Sequence, residues 1–189
     1  FGRTIINSDK RFSYGEAQLV IDTGEGEMKE NVLLLHRLAQ QLRTKRFQSG
    51  AFAFEKIEIR FDLDEAGKPV GIKFREMGTA NQLIEEFMLL ANKRVAEYVG
   101  KKLHGKTFVY RIHDKPDPEK ISNFSHFITR FGYKLIEDDK TSLPKAMNKL
   151  LHSVAGKKEQ NIIETLALRS MAKAVYSTDN IGHYGLSFK

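Results

Sequence analysis

The 189 residues contain no cysteine, which excludes disulfides and thiolate metal sites and suits a reducing compartment such as the cytoplasm. No apolar run approaches the roughly 18 residues a membrane span needs, so no membrane partner is expected. The opening Phe1-Gly2-Arg3-Thr4 lacks an initiator Met and the apolar stretch of a secretory signal. The chain stops at Lys189 with no cap or tail, so it reads as an internal segment of a longer protein. Repeats and low-complexity tracts are missing. Gly24-Glu25-Gly26 is not followed by the Gly-Lys-Ser/Thr of a phosphate loop, and no G-x-S-x-G elbow occurs. The six His show no H-E-x-x-H or other close metal spacing. A two-metal nuclease site needs carboxylates converging on ions about 4 Å apart, and no dense Asp cluster answers to that. Asp138-Asp139 is a loop pair beside lysines. The residues by themselves leave open whether the chain is an enzyme.

What is present points to a folded, basic chain. Hydrophobic residues make up 41%, enough for a core and too many for disorder. Net charge is +7 and the isoelectric point about 9.5, which favours a polyanion as partner, a plain basic surface being the bland reading. Thr4-Ile5-Ile6 predicts a short strand, residues 13–21 a helix, and Asp22 to Glu27 a loop. Leu35, Leu38 and Leu42 recur at helical spacing within a helix over 29–47, with Arg43, Lys45 and Arg46 in its last turn and Gly50 as its stop. Ile57, Ile59, Phe61 and Leu63, then Val70, Ile72 and Phe74, alternate around Asp64-Glu65-Ala66-Gly67, predicting a half-buried antiparallel hairpin. Thr79 and Gln82 suggest a capping box for a helix to about Val99. Its apolar stripe would be Ile84, Phe87, Ala91, Val95 and Tyr98. A strand over 108–112 follows. Asp117-Pro118 opens a helix ended by Gly132. Further helices are expected from Ser142 to Val154 and from Glu159 to about Ala174, then a glycine-containing loop leading into a strand. The fold class is therefore α+β, or mixed α/β, with one hairpin, about five helices and no linker between domains.

Four places could carry chemistry. Asn81, Glu85, Met88 and Asn92 fall within an arc of roughly 60° on one helix, where amide and carboxylate groups would suit sugar hydroxyls, or form an ordinary solvated face. Phe52 and Phe54, two residues apart beside basic residues, would suit base stacking, with core packing the commoner fate of any single Phe. Arg111, His113 and Lys115 stand where a strand gives way to a loop, a place for phosphate or ribose contacts or a plain polar strand end. His183 and Tyr184 lie between Gly182 and Gly185; a catalytic His there would need a partner nucleophile or metal.

Six strings in order carry a resemblance over essentially the whole chain. They are Arg11-Phe12-Ser13-Tyr14-Gly15-Glu16-Ala17-Gln18, Gly50-Ala51-Phe52-Ala53-Phe54, Leu83 to Asn92, Tyr110-Arg111-Ile112-His113, Arg169 to Ser177, and Gly182-His183-Tyr184-Gly185-Leu186. Together they resemble the RNB catalytic module of the ribonuclease II/R family, on its bacterial ribonuclease R branch. The resemblance implies a processive exoribonuclease that hydrolyses single-stranded RNA from the 3′ end to nucleoside 5′-monophosphates, using Mg²⁺ held by aspartates. It implies a basic RNA channel and flanking cold-shock and S1 domains. By position, Phe54 matches the aromatic that stacks on the 3′-terminal bases, and Tyr14 and Glu85 match groups that contact riboses and help tell RNA from DNA. Arg111, His113 and His183 are further candidates for RNA contact. Residues 1–189 would be the central part of the catalytic domain. The metal-binding aspartates are expected upstream and the family's Ser-Pro-Ile-Arg-Arg-Tyr stretch downstream, so no catalytic or metal residue is assigned within the chain, and the segment alone is expected to be inactive. Unpaired strand edges also predict dimerisation of the segment as an artefact. The alternatives are a catalytically inactive RNA-binding relative and a scaffold whose basic face binds protein.

Overall fold

A computed structural model describes residues 2–52, 58–75, 77–103, 106–136 and 142–188. The architecture is α+β, with six α-helices and two short antiparallel ribbons among the described residues. The chain divides into two compact units, one of residues 1–42 and 56–89 and the other of 43–55 and 90–189.

In the first unit, α1 (Tyr14–Thr23) starts at a reciprocal capping box. Ser13 N–H donates to Glu16 Oε2 at 2.7 Å, and Glu16 N–H donates to Ser13 Oγ at 3.3 Å. Helix α2 (Lys29–Gln48) begins here and ends in the second unit. Strands β1 (Glu58–Leu63) and β2 (Pro69–Arg75) form the expected hairpin, with Phe61 opposite Ile72 and a register shift at Asp62/Leu63. Its turn is tied by Asp64 Oδ1, which accepts from Ala66 and Lys68 N–H at 3.0 and 2.9 Å. Gly67 sits at φ +78°, where a side chain would be strained.

Three expectations for this unit are corrected. Ile5 and Ile6 lie exposed in a segment that pairs with no strand among the described residues, so they form no strand there. The hairpin is not half-buried: Phe61, Leu63, Val70 and Ile72 are each 58–66% exposed. The α3 helix (Thr79–Lys102) is not capped by Thr79 and Gln82. Gly78 supplies its first acceptor, taking the N–H of Gln82, and the side chain of Gln18 takes the N–H of Ala80 at 2.9 Å. The buried residues of α3 are Ala80, Leu83 and Glu86, while Ile84 and Tyr98 of the expected stripe are exposed.

The second unit holds the main core. Strand β3 (Tyr110–Ile112) is followed by α4 (Pro118–Thr129), whose cap is the expected Asp117, accepting from Glu119 N–H at 2.9 Å. Then come α5 (Leu143–Val154) and α6 (Gln160–Ser170). Helix α5 buries Leu143, Met147, Leu150, Leu151 and Val154, the stripe that helical periodicity demands. Met147, Leu150, Leu151 and Val154 pack with Phe124, Ile128, Ile163, Ala167 and Phe52. Helix α6 stops at Ser170, earlier than expected. Val175–Ser177 instead forms β4, which pairs antiparallel with β3, so a second ribbon exists that the sequence pattern did not announce. Phe52 is a core residue, which resolves its two readings. Asp138 and Asp139 lie outside the described residues.

Candidate functional site

The candidate residues fall in both units. In the first, Tyr14 opens α1 directly after the Ser13 cap and is 45% exposed. Glu85 lies half-buried on α3, beside the buried Glu86 and one turn before the exposed Met88. Phe54 lies outside the described residues.

The second unit brings three candidates together. On β3, Ile112 points into the protein, while Arg111 points outward with its register partner Tyr176. The Arg111 guanidinium stands 6.0 Å from the Tyr176 ring, which is 75% exposed. Past the strand end, His113 pairs with His183: His113 N–H donates to Gly182 O at 3.1 Å, and Tyr184 N–H donates to His113 O at 2.7 Å. The two imidazoles lie 5.0 Å apart.

The two rings have different surroundings. His113 Nδ1 accepts from Gly185 N–H at 2.8 Å, and Nε2 lies 2.8 Å from Ala172 O. Both nitrogens are committed to backbone, which leaves neither for a ligand. His183 is half-buried, and its Nδ1 takes no hydrogen bond among the described residues. Burial, then the neighbouring His113 imidazole, then Arg111 hold it down to about 4, so it is neutral at pH 7. It is a neutral hydrogen-bonding group and not a cation at that pH. The turn that carries it, with a 3₁₀ segment at Tyr184–Leu186, closes on Phe188: His183 N–H donates to Phe188 O at 2.8 Å, and Lys93 Nζ lies 4.8 Å from the Phe188 ring.

Sequence reasoning missed Tyr176, whose exposure depends on the unannounced β3–β4 pairing. It also missed the commitment of His113, since Gly185 is 72 residues away in the chain. The strings around Phe52, His113 and His183 meet here, which their spacing in the sequence did not show. Among the described residues, no three His, Asp or Glu side chains gather to hold a metal ion. Nor is any helix among them long and apolar enough to cross a membrane.

The family model for the RNB domain matches residues 1–189. The chain belongs to the RNB domain family. It is 33% identical to ribonuclease R of Aquifex aeolicus over 98% of this chain and 27% of that protein. It is 35% identical to ribonuclease R of Thermotoga maritima over 97% of this chain and 26% of that protein. The chain thus spans about a quarter of the length of these curated relatives. Among solved structures, RNase R of Mycoplasma genitalium in complex with ribose-methylated single-stranded RNA shares the fold, with a TM-score of 0.83 at 22% identity, over 94% of this chain and 28% of that one.

Proposed function

We propose that this RNB chain is part of a Mg²⁺-dependent, processive 3′-to-5′ exoribonuclease that releases nucleoside 5′-monophosphates from single-stranded RNA. In this reading the segment is the central part of the catalytic domain, and it supplies channel wall and 3′-end recognition. The observation that carries the reading is the family match along the whole chain. The net charge of +7 supports it, since a polyanion threading a wall needs cations along its path.

The roles follow from the chemistry of each group. Phe54 offers a π-face to the 3′-terminal bases, whatever their identity. The Glu85 carboxylate accepts a hydrogen bond from a ribose 2′-hydroxyl, which DNA lacks, and the Tyr14 hydroxyl contacts a neighbouring sugar. Arg111, exposed, neutralises a phosphate, and neutral His183 takes a sugar or base polar atom. The aspartates that would hold the metal are expected upstream of this segment, so no step of the hydrolysis is assigned within it. The chain alone is expected to show no nuclease activity; trace activity abolished by Glu85→Ala would overturn this.

The test uses the full-length parent. Digestion of 3′-labelled and 5′-labelled single-stranded RNA with Mg²⁺ is followed beside a matched DNA and a Glu85→Ala variant. Monophosphates should leave from the 3′ end, and Glu85→Ala should narrow the preference for RNA over DNA about tenfold, the size of one lost hydrogen bond to a charged group. RNA that is bound and never cut would instead make the parent an inactive holder of RNA.

A further inference from the structure

Tyr176 has no part in the core and none in the function proposed above. It stands opposite Arg111 in the β3–β4 ribbon, so both side chains leave the ribbon on one side. By alternation the other side carries Ile112, which is buried, and Tyr110, whose ring meets that of Phe108 edge to face at 5.1 Å. Single exposed aromatics are common, so the 75% exposure of Tyr176 decides nothing alone. Its neighbour decides more. The Arg111 guanidinium lies 6.0 Å from the ring, and among the described residues it has no carboxylate partner and donates no hydrogen bond. The Tyr176 hydroxyl makes no hydrogen bond among them either. An unpaired cation beside an open π-face matches the two halves of a nucleotide. The guanidinium suits the phosphate, which it can meet with two N–H donors, and the ring suits the base. An apolar partner would strip water from the Arg111 charge and leave it unpaired, and an acidic segment would make no use of the ring.

We infer that Tyr176 and Arg111 form a nucleotide subsite for single-stranded RNA, with Tyr176 stacking on one base and Arg111 binding an adjacent phosphate. Stacking accepts any base, so the subsite holds RNA without reading its sequence. The pairing is a matter of geometry; RNA as its occupant rests on the proposed function.

The test measures the affinity of the full-length parent for a labelled single-stranded oligoribonucleotide, in EDTA, from about 50 to about 200 mM salt. Tyr176→Ala should weaken binding about tenfold at every salt concentration, and Tyr176→Phe, which keeps the ring, should stay within about twofold of wild type. Arg111→Gln should weaken binding most at low salt and lower the slope of log Kd on log salt by about 0.7, the loss of one phosphate contact on a single strand. Oligonucleotides lacking one base at a time locate the subsite. At one position the missing base should cost the wild type about tenfold and cost Tyr176→Ala nothing. A Tyr176→Ala parent that binds as wild type does, or that pays the same penalty as wild type at every missing base, overturns the inference. So does a parent that Tyr176→Ala destabilises with no loss of affinity per folded molecule, since the ring would then be packed against another part of the parent. Cleavage is read separately. If the parent binds RNA and cuts none, the proposed function falls while the affinities still decide the subsite. If it cuts RNA and Tyr176→Ala changes no affinity, the subsite alone falls. A parent with no affinity for RNA removes both.

Discussion

The two units bury their apolar side chains very differently. The unit of residues 43–55 and 90–189 encloses Ile128, Met147, Val154 and Ile163 completely. In the unit of residues 1–42 and 56–89, Leu19, Leu34, Leu35, Leu38 and the hairpin residues Phe61, Leu63, Val70 and Ile72 are all 41–66% exposed. The difference follows from element type. Helices α4, α5 and α6 present wide apolar stripes to one another, whereas the β1–β2 ribbon has two strands and, among the described residues, leaves Phe61, Leu63, Val70 and Ile72 exposed. An alternating pattern therefore marks which side of a strand is apolar, and says nothing about whether that side is covered.

The largest test of this contrast is Met147→Ala. Met147 is fully buried at the centre of the second unit's core, and its truncation should destabilise that unit by about 2–5 kcal/mol. Hydrogen exchange read by region gives the answer: amides of α4 to α6 should lose protection and those of β1 and β2 should not. Uniform loss across the chain would mean that the two units unfold together.

How far the sequence announced this structure depended on the range of each interaction. Asp117-Pro118 and the α5 stripe were legible because a cap and a helical face are decided within a few residues. Ser13 and Glu16 form a capping box within four consecutive residues, of the same local kind. The cap that α3 actually uses, Gln18, stands 62 residues from Ala80, and no local pattern connects them. The β4 strand is three residues long, too short for alternation to show, and exists through its pairing with β3. The same holds for the site. The ordered strings located Arg111, His113 and His183, and left unsaid that both nitrogens of His113 are committed to backbone.

A second test is pH. His183 lies at about 4 in the folded chain against an ordinary 6.5, so between these values the unfolded chain binds more protons. Its contribution is fully present above about pH 6.5 and is lost as pH falls through about 4. Half-exposure and solvent screening reduce the effect to on the order of 1 kcal/mol. Glu16 and Glu159 are both held below the usual carboxylate value of 4.5, so their loss comes at lower pH and leaves the upper part of the window to His183. Thermal melts from pH 7 to 4.5 should show a falling Tm that His183→Phe flattens; a slope unchanged in that variant would assign the loss to other groups.

Caps give a smaller effect in both units. Asp117→Ala removes the acceptor for Glu119 N–H, and Gln18→Ala removes the one for Ala80 N–H. Each should cost about 1 kcal/mol, read as a shift in the urea midpoint. The two should separate in exchange data, Asp117→Ala loosening α4 and Gln18→Ala the first turn of α3. A Gln18→Ala effect as small as that of a surface substitution would show that the cap taken from α1 adds nothing beyond solvent.

The smallest effect is the one the contrast depends on most. Ile72 is apolar by pattern and 60% exposed. Truncation of a buried strand Ile would cost several kcal/mol, while Ile72→Thr keeps the β-branch and removes little buried area. In this chain the substitution should change stability by less than about 0.5 kcal/mol. In the full-length parent the same substitution reads whether the ribbon face is covered there. A loss above about 2 kcal/mol in the parent, beside none in the chain alone, would show a packed layer on Phe61 and Ile72. Equal, small changes in both would mean that the face stays in solvent and that its apolar alternation serves the pairing of β1 with β2.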